Sequence, residues 1–409
     1  MNDPYKNAIE QLTQVSKILN LSKSEVEVLS VPEKFIRVSI PVDMDDAKVK
    51  VFTGFRSQHN SALGPYKGGI RFHQNVNESE VKALSMWMSW KCSVANLPYG
   101  GAKGGIIVDP KELSKGELEK LSRGYIKRIY EIIGEDKDVP APDVNTNPQI
   151  MEWMADEYYK LIGKKSLATF TGKPINKGGS QGRTEATGFG GVYVMNEFVK
   201  RKNLKPKNLT IAIQGFGNVG YFFAELAFEE GYKIVAISDL SGGIYNESGI
   251  DPKNAFKYLQ ANGKLIGFPG TKEISNADLL ISKVDILAPC ALENVINDKN
   301  AKLIKAKFII EMANGPVTPD ADKILFKKGI VSIPDVLANS GGVTVSYFEW
   351  LQNRQNKYWT KDEVLKKLKK NITKAFSEVY DMMEKLKINM RMAAYTLAVK
   401  KIVSAGKKV

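Results

Sequence analysis

The run TIAIQGFGNVGYFFAELAFEEGYKIVAISD, residues 210–239, constrains the fold more than any other part of the chain. An apolar strand pattern leads straight into Gly215-Phe216-Gly217-Asn218-Val219-Gly220. A helical pattern follows, Gly231 ends it, and a second apolar strand closes on Asp239. Each glycine of the turn has its own expected role. Gly215 permits a tight turn, Gly217 lets a pyrophosphate approach the backbone, and Gly220 lets the helix pack against the strand. The helix N-terminus adds unpaired N–H groups and a positive dipole end. A glycine turn also occurs in α/β folds that hold no ligand. The strand, helix, second strand and terminal acid at these separations point instead to a dinucleotide-binding unit. Asp239 reads two ways, as an acceptor for ribose hydroxyls, which favours NAD, or as a strand-end acid capping the next turn. Lysines nearby in sequence keep NADP open.

The alternation continues around this unit. Short apolar strands are expected at 210–214, 233–238, 285–288, 308–311 and 330–333, separated in several places by helical patterns. Such alternation predicts a parallel sheet with helical crossovers. After it, Thr360 and Glu363 form a capping-box pattern. Leu365, Leu368, Ile372, Phe376, Val379 and Met383 then line one face of a long helix. That face must be buried against this chain or a partner.

The first part of the chain reads differently. Helices are expected up to about Leu29, and strands over Phe35–Val42, Val49–Gln58, Gly69–Phe72 and Gly105–Val108. Val81, Leu84, Met88, Cys92 and Ala95 follow helical spacing. Ser114 with Glu117, and Asn147 before Pro148, mark helix starts. With 409 residues the chain exceeds one ordinary domain. The expected class is α/β with two domains. Residues 1–180 form an α/β substrate-binding and oligomerisation domain, and 181–345 a Rossmann-type dinucleotide-binding domain. The C-terminal helices, 346–409, are expected to pack back on the first domain.

Composition excludes some chemistry. Two cysteines and two histidines, without ligand spacing, argue against a zinc site or a His-based triad. The opening residues carry acids early and no continuous apolar core, so no secretory signal is expected. No apolar window is long enough for a bilayer span, and a reducing, cytoplasmic setting fits the low cysteine count. The net charge of +14 admits a nucleic-acid binder. The basic residues are scattered among acids, however, and the densest run, KKLKK at 366–370, lies on an amphipathic helix, so no nucleic-acid or membrane partner is expected.

Three lysines in the first part stand out: Lys67 in GPYKGGIRFH, Lys91 in MSWKCS and Lys103 in PYGGAKGG. Glycine neighbours would let a small molecule come close to the ammonium groups, and burial or neighbouring cations would lower a lysine pKa. Converging lysines would suit a dianion. Taken singly, each also reads as a solvated or snorkelling side chain. Asp143, in VPAPDVNTNP, reads as an acid/base carboxylate or as an Asx-turn residue. Ser346 reads equally as a plain strand or helix serine.

The segments KGGIRFH, LPYGGAKGG, PAPDVNTN, GFGNVG, EMANGP and ANSGGVTVSYFEW occur in that order over nearly the whole chain. Together they resemble the hexameric glutamate dehydrogenases. The resemblance implies NAD(P)-dependent reversible oxidative deamination of L-glutamate to 2-oxoglutarate and ammonia, in a homohexamer. It implies that Lys67 and Ser346 grip the distal carboxylate, Lys91 the α-carboxylate, and Asn339 with the Ala141 backbone the amino group. Lys103 and Asp143 match the catalytic pair. Thr187 and Asn218 match positions near the nicotinamide, and Asn314 lies in a cofactor-side motif. Leucine, valine and phenylalanine dehydrogenases look similar but have apolar residues at the positions of Lys67 and Ser346. One departure is Met88, where some members carry a glutamine near the α-carboxylate.

Overall fold

The computed structural model describes residues 3–406. The chain divides into two compact units. One comprises the chain up to Gln181, Val343–Val364 and the chain from Tyr395 onward; the other comprises Gly182–Gly342 and Leu365–Ala394.

The first unit opens with helices α1 (Pro4–Leu19) and α2 (Lys23–Ser30). Then come β1 (Lys34–Asp43), β2 (Val49–Asn60), β3 (Tyr66–Phe72), α3 (Glu78–Val94), β4 (Gly100–Ile106), α4 (Lys115–Ile129), β5 (Asp138–Pro142) and α5 (Pro148–Ile162). The sheet order is β1-β2-β4-β3-β5. β3 runs parallel to both β4 and β5, and the β1–β2 and β2–β4 pairs are antiparallel. Both expected helix starts are present. Ser114 and Glu117 make a reciprocal capping box, and Asn147 caps α5 with Pro148 in its first turn.

Two strands depart from the sequence reading. The expected strand at Gly105–Val108 overlaps only the last two residues of β4, which runs Gly100–Ile106, and Lys103 sits inside that strand rather than before it. Four glycines in seven residues hide β4 from a propensity argument. β5 contains two prolines and reads as a stiff loop. It is tolerated because it lies at the sheet edge, where missing N–H donors do not break a second ladder.

The sheet's two faces are filled differently. On one, Ile40, Phe52, Ile70, Phe72 and Ile106 pack with Leu121, Tyr125, Ile126, Ile150, Met151 and Met154 of α4 and α5. On the other lies α3. A Cβ at Gly101 would meet Ser89 N at 2.2 Å and Ser85 O at 2.4 Å. The glycine of β4 is thus the surface on which α3 rests.

The second unit contains α6 (Ala186–Arg201), β6 (Thr210–Gln214), α7 (Asn218–Glu229), β7 (Lys233–Asp239), β8 (Gly242–Tyr245), α8 (Pro252–Asn262), β9 (Lys272–Ile274), α9 (Asn276–Leu280) and β10 (Ile286–Pro289). β11 (Phe308–Ile310), α10 (Pro319–Lys327), β12 (Val331–Ile333) and α11 (Asp335–Ala338) complete its continuous part. The sheet order is β12-β11-β10-β6-β7-β8-β9. Its first five strands are parallel, as expected; β8 and β9, which the alternation did not reveal, add antiparallel at the edge.

Three helices end the chain: α12 (Gly341–Gln355), α13 (Lys361–Leu386) and α14 (Met390–Gly406). Most of α12 and α14 belongs to the first unit, whereas residues 365–394 group with the second. This differs from the expectation that all of 346–409 packs on the first domain. The physical reason lies in the apolar stripe of α13. Leu368, Ile372, Phe376, Val379 and Met383 are buried as predicted, and the stripe finds its partner in α6. A Cβ at Gly190 would stand 3.0 Å from Ile372, Phe198 packs near Tyr380, and Arg201 pairs with Asp381 at 3.0 Å.

Candidate active site

The register of β3, β4 and β5 decides which side chains share a face. Lys67 pairs with Gly101 and Val139, and Gly69 with Ala141. Because side chains alternate, Lys67, Arg71, Lys103, Ala141 and Asp143 all project to the face that carries α3. Lys67 and Lys103 lie two residues out of register on adjacent strands, so their Cα atoms are about 8 Å apart.

Lys103 donates to Asp143 Oδ2 at 2.5 Å, and Arg71 Nε donates to Asp143 Oδ1 at 2.8 Å. Arg71 also pairs with Glu80 of α3 at 2.5 Å. The Asp143 carboxylate is therefore clamped between two cations, and the Asx-turn alternative fails. The turn is organised instead by Thr146, whose hydroxyl accepts from Asp143 N at 2.7 Å. Burial opposes ionisation of Asp143, yet Lys103 and Arg71 together hold its pKa below the ordinary carboxylate range. Lys103 has its pKa lowered, first by burial and further by Arg71, while Asp143 works against the shift. Burial, more than the neighbouring lysines, is what perturbs it. Arg71 is the group that the sequence reading passed over; its spacing of four from Lys67 on a strand was the available signal.

Lys67 is buried and donates to Val139 O at 3.1 Å and Thr171 Oγ1 at 2.8 Å. Thr171 lies in an irregular segment, and no pattern in the sequence marked it. Lys91 is on α3 one position before Cys92. The Cys92 thiol is pushed up to about 12 by burial, and both Lys67 and Lys91 act against that rise. Lys67 and Lys91 thus both lie within electrostatic reach of the same buried thiol. Cys92 packs with Tyr99 and Val139, and Met88, Val343, Tyr347 and Trp350 close around them. The last three come from α12, which also carries the buried Ser346. Ser346 is a helix residue, not a strand residue.

The glycines flanking the lysines serve packing rather than open space. A Cβ at Gly68 would meet Ala102 O at 1.6 Å, at Gly104 the Tyr125 hydroxyl at 2.7 Å, and at Gly105 Val76 at 2.8 Å. Among the described residues no cluster of three or more His, Cys, Asp or Glu side chains could hold a metal ion.

In the second unit the glycine turn has the expected geometry. Gly215 adopts φ 95°, and its N–H donates to Ser238 O at 3.0 Å. A Cβ at Gly220 would stand 2.0 Å from Gly215 O, so the third glycine allows α7 to sit on the turn. At Gly217 a Cβ would meet nothing within 4 Å. The backbone is open where a pyrophosphate would approach, and Gly217 caps α7 without any side chain in the way. The Phe216 side chain turns inward against Tyr221 and Phe256, so only its backbone faces the turn's exterior. Val219 is half-buried. Asn218 opens α7 and donates to Thr184 O at 2.9 Å, which ties the turn to the segment preceding Thr187 on α6.

Asp239 ends β7 and is engaged locally. Oδ1 accepts from Ser241 N at 2.7 Å, and Oδ2 from Leu265 N at 2.9 Å. The turn-capping reading is thus realised; a carboxylate with about four acceptor sites keeps capacity for a further donor. Asn339 donates through Nδ2 to Met312 O, Ala313 O and Asn314 Oδ1 at 3.3, 3.1 and 2.9 Å. Those bonds aim its Oδ1, which is buried without a hydrogen-bond partner. Such an oxygen suits an incoming N–H donor. The residues present fit a dinucleotide.

The family described as Glutamate/Leucine/Phenylalanine/Valine dehydrogenase matches residues 178–409, and the Glu/Leu/Phe/Val dehydrogenase dimerisation domain matches residues 32–160. The chain is 50% identical over 408 residues to the NAD-specific glutamate dehydrogenase of Clostridioides difficile, covering 98% of this chain and 97% of the relative. The crystal structure of glutamate dehydrogenase from Peptoniphilus asaccharolyticus superimposes with a TM-score of 0.90 at 47% identity, covering 100% of this chain and 99% of that one. The hetero-hexameric glutamate dehydrogenase of Thermus thermophilus, in its Leu-bound form, gives 0.93 at 32% identity, covering 98% and 96%. With both of its parts matched in order and relatives aligned end to end, the chain belongs to the Glu/Leu/Phe/Val dehydrogenase family.

Proposed function

We propose that this chain catalyses the NAD(P)-linked, reversible oxidative deamination of L-glutamate to 2-oxoglutarate and ammonia. The observation that carries the choice of substrate is Lys67, buried on β3 and donating to Val139 O and Thr171 Oγ1. A lysine amine placed there offers N–H donors to a second carboxylate on the substrate. An apolar amino acid has no group to engage it.

In this reading Lys67 and Ser346 hold the distal carboxylate and Lys91 the α-carboxylate. The Ala141 carbonyl and Asn339 Oδ1 accept from the amino group. The nicotinamide cofactor, when bound, accepts the hydride from Cα. Gly215, Gly217 and Gly220 with the start of α7 receive its pyrophosphate, Thr187, Asn218 and Asn314 border its nicotinamide half, and Asp239 takes a ribose hydroxyl. NAD is the favoured cofactor and NADP the alternative. Lys103, whose lowered pKa eases release of its proton, acts as general base on the water that adds to the imine carbon. Asp143 enters the reaction ionised and held by Lys103 and Arg71, so it accepts a proton first and returns it to the departing nitrogen. The proposed assembly is a homohexamer, supported by the family's dimerisation domain over residues 32–160. A reducing, cytoplasmic location accords with Cys92 and Cys290 both being free thiols.

The deciding experiment follows nicotinamide reduction at 340 nm, as a general absorbance assay, with L-glutamate, L-leucine, L-valine and L-phenylalanine against NAD and NADP. Glutamate-dependent reduction exceeding the other three is expected. Preference for an apolar amino acid would overturn the assignment of Lys67.

A further inference from the structure

The segment 170–173 is held from every side. Phe170 is in the core, Thr171 N–H donates to Pro140 O at 3.1 Å, and a Cβ on Gly172 would stand 2.5 Å from Pro142. One residue of α12 adds further contacts. Glu349 accepts from Gly172 N at 2.8 Å, Lys173 N at 3.4 Å and Lys173 Nζ at 2.8 Å. Lys173 also donates to Phe170 O. The Lys173 and Glu349 side chains are 1% and 0% exposed, so this is a fully buried ion pair. Farther along the same seam, Gln352 donates to Ser180 Oγ at 2.9 Å and Asn353 to Gly178 O at 2.8 Å.

What the pair joins gives it meaning. Thr171, two residues before Lys173, bonds Lys67. Ser346 lies three residues before Glu349, hence on the same side of α12. A buried ion pair contributes little net stability over apolar residues of equal volume, but it admits few geometries. We propose that Glu349 and Lys173 are positioning residues that set the spacing between the Lys67–Thr171 end and the Ser346 side of the pocket for the substrate's distal carboxylate, and so determine selectivity for a five-carbon diacid. This rests on the assignment of Lys67 and Ser346 to that carboxylate.

The test compares L-glutamate with L-norvaline, which has the same carbon chain without the distal carboxylate, in the full-length wild type, Glu349→Gln and Lys173→Met. The ratio of kcat/KM for glutamate to that for norvaline is expected to fall at least ~10-fold in both variants, the scale of a misaligned hydrogen bond to a charged group. The fall should come through the glutamate KM. A merely structural role would lower both substrates together, and an unchanged ratio overturns the proposal. If the neutralising variants do not fold, Glu349→Asp keeps the charge but shortens the link by one methylene, and the same fall or constancy of the ratio decides. A wild type inactive on glutamate refutes the function itself; an active wild type with variants of unaltered ratio refutes only the positioning role.

Discussion

Replacing Lys103 and Asp143 one at a time separates catalysis from structure, because their partners are unequal. In Lys103→Met the ammonium is lost, but Asp143 keeps Arg71 at 2.8 Å and is not orphaned. The methionine fills the space of the buried stem. Turnover should fall by ~10²–10⁴, the usual range for losing a general acid–base group, which is about 2.7–5.5 kcal/mol of barrier. Stability should change by no more than about 1 kcal/mol, because the change is close to isosteric. Asp143→Asn behaves otherwise. Lys103, 4% exposed, loses the counter-charge bonded to it at 2.5 Å. Breaking a buried pair from one side costs about 3–5 kcal/mol, reduced here to the extent that Lys103 sheds its proton. Asp143 is also the charge that raises the Lys103 pKa, so its removal should move the acid limb of the kcat/KM profile to lower pH. Urea unfolding and pH-dependent steady-state kinetics on both variants provide the readouts. The reasoning is refuted if Lys103→Met keeps more than a tenth of wild-type turnover, or if it is destabilised as much as Asp143→Asn.

Three further outcomes are expected. Lys67→Leu combined with Ser346→Val should weaken glutamate at least ~100-fold in kcat/KM and raise relative activity on leucine, since unmatched buried polar groups discriminate strongly; unchanged glutamate kinetics would remove the distal-carboxylate assignment. Gly217→Ala should leave thermal stability near wild type and raise the cofactor KM, whereas Gly220→Ala, whose Cβ meets Gly215 O at 2.0 Å, should destabilise the protein; thermal melts and cofactor titrations that show no such contrast would contradict the glycine roles. Glu311 is buried beside Arg391, Asp322 and Asp335, and burial pushes its pKa up to about 7 despite Arg391. The folded state then binds more protons than the unfolded one between about pH 4.5 and 7, so stability from this group is present at the low end and is lost as pH rises through 7. Glu311→Gln should flatten that slope, which corresponds to at most about 3 kcal/mol at 1.36 kcal/mol per pH unit, and chemical denaturation across the window measures it.

Local physics made a good part of this legible in the residues. Glycine at 215, 217 and 220 between apolar runs implies its turn because each need is met within a few residues: a positive φ, an open backbone, a close helix. Capping boxes at Ser114 and Thr360, and the stripe on α13, follow from the same short-range rules. The lysines were visible as candidates. Their meaning was not, because a lone lysine in sequence is indistinguishable from a solvated one.

Only tertiary structure decided the rest. β4 is a strand despite its glycines because α3 must rest on Gly101, a requirement set by a helix that begins 23 residues earlier. Register then put Lys67, Arg71, Lys103 and Asp143 on one face, although they span 77 residues of chain. Thr171 bonds Lys67 across 104 residues, and the Lys173–Glu349 pair joins segments 176 residues apart. A sequence displays the types and periods of its residues, which are local properties. Which charge faces which, and how deeply both are buried, is set by the pairing of distant segments; burial lowers the Lys103 pKa, whereas the Lys103 and Arg71 cations lower that of Asp143 against its own burial.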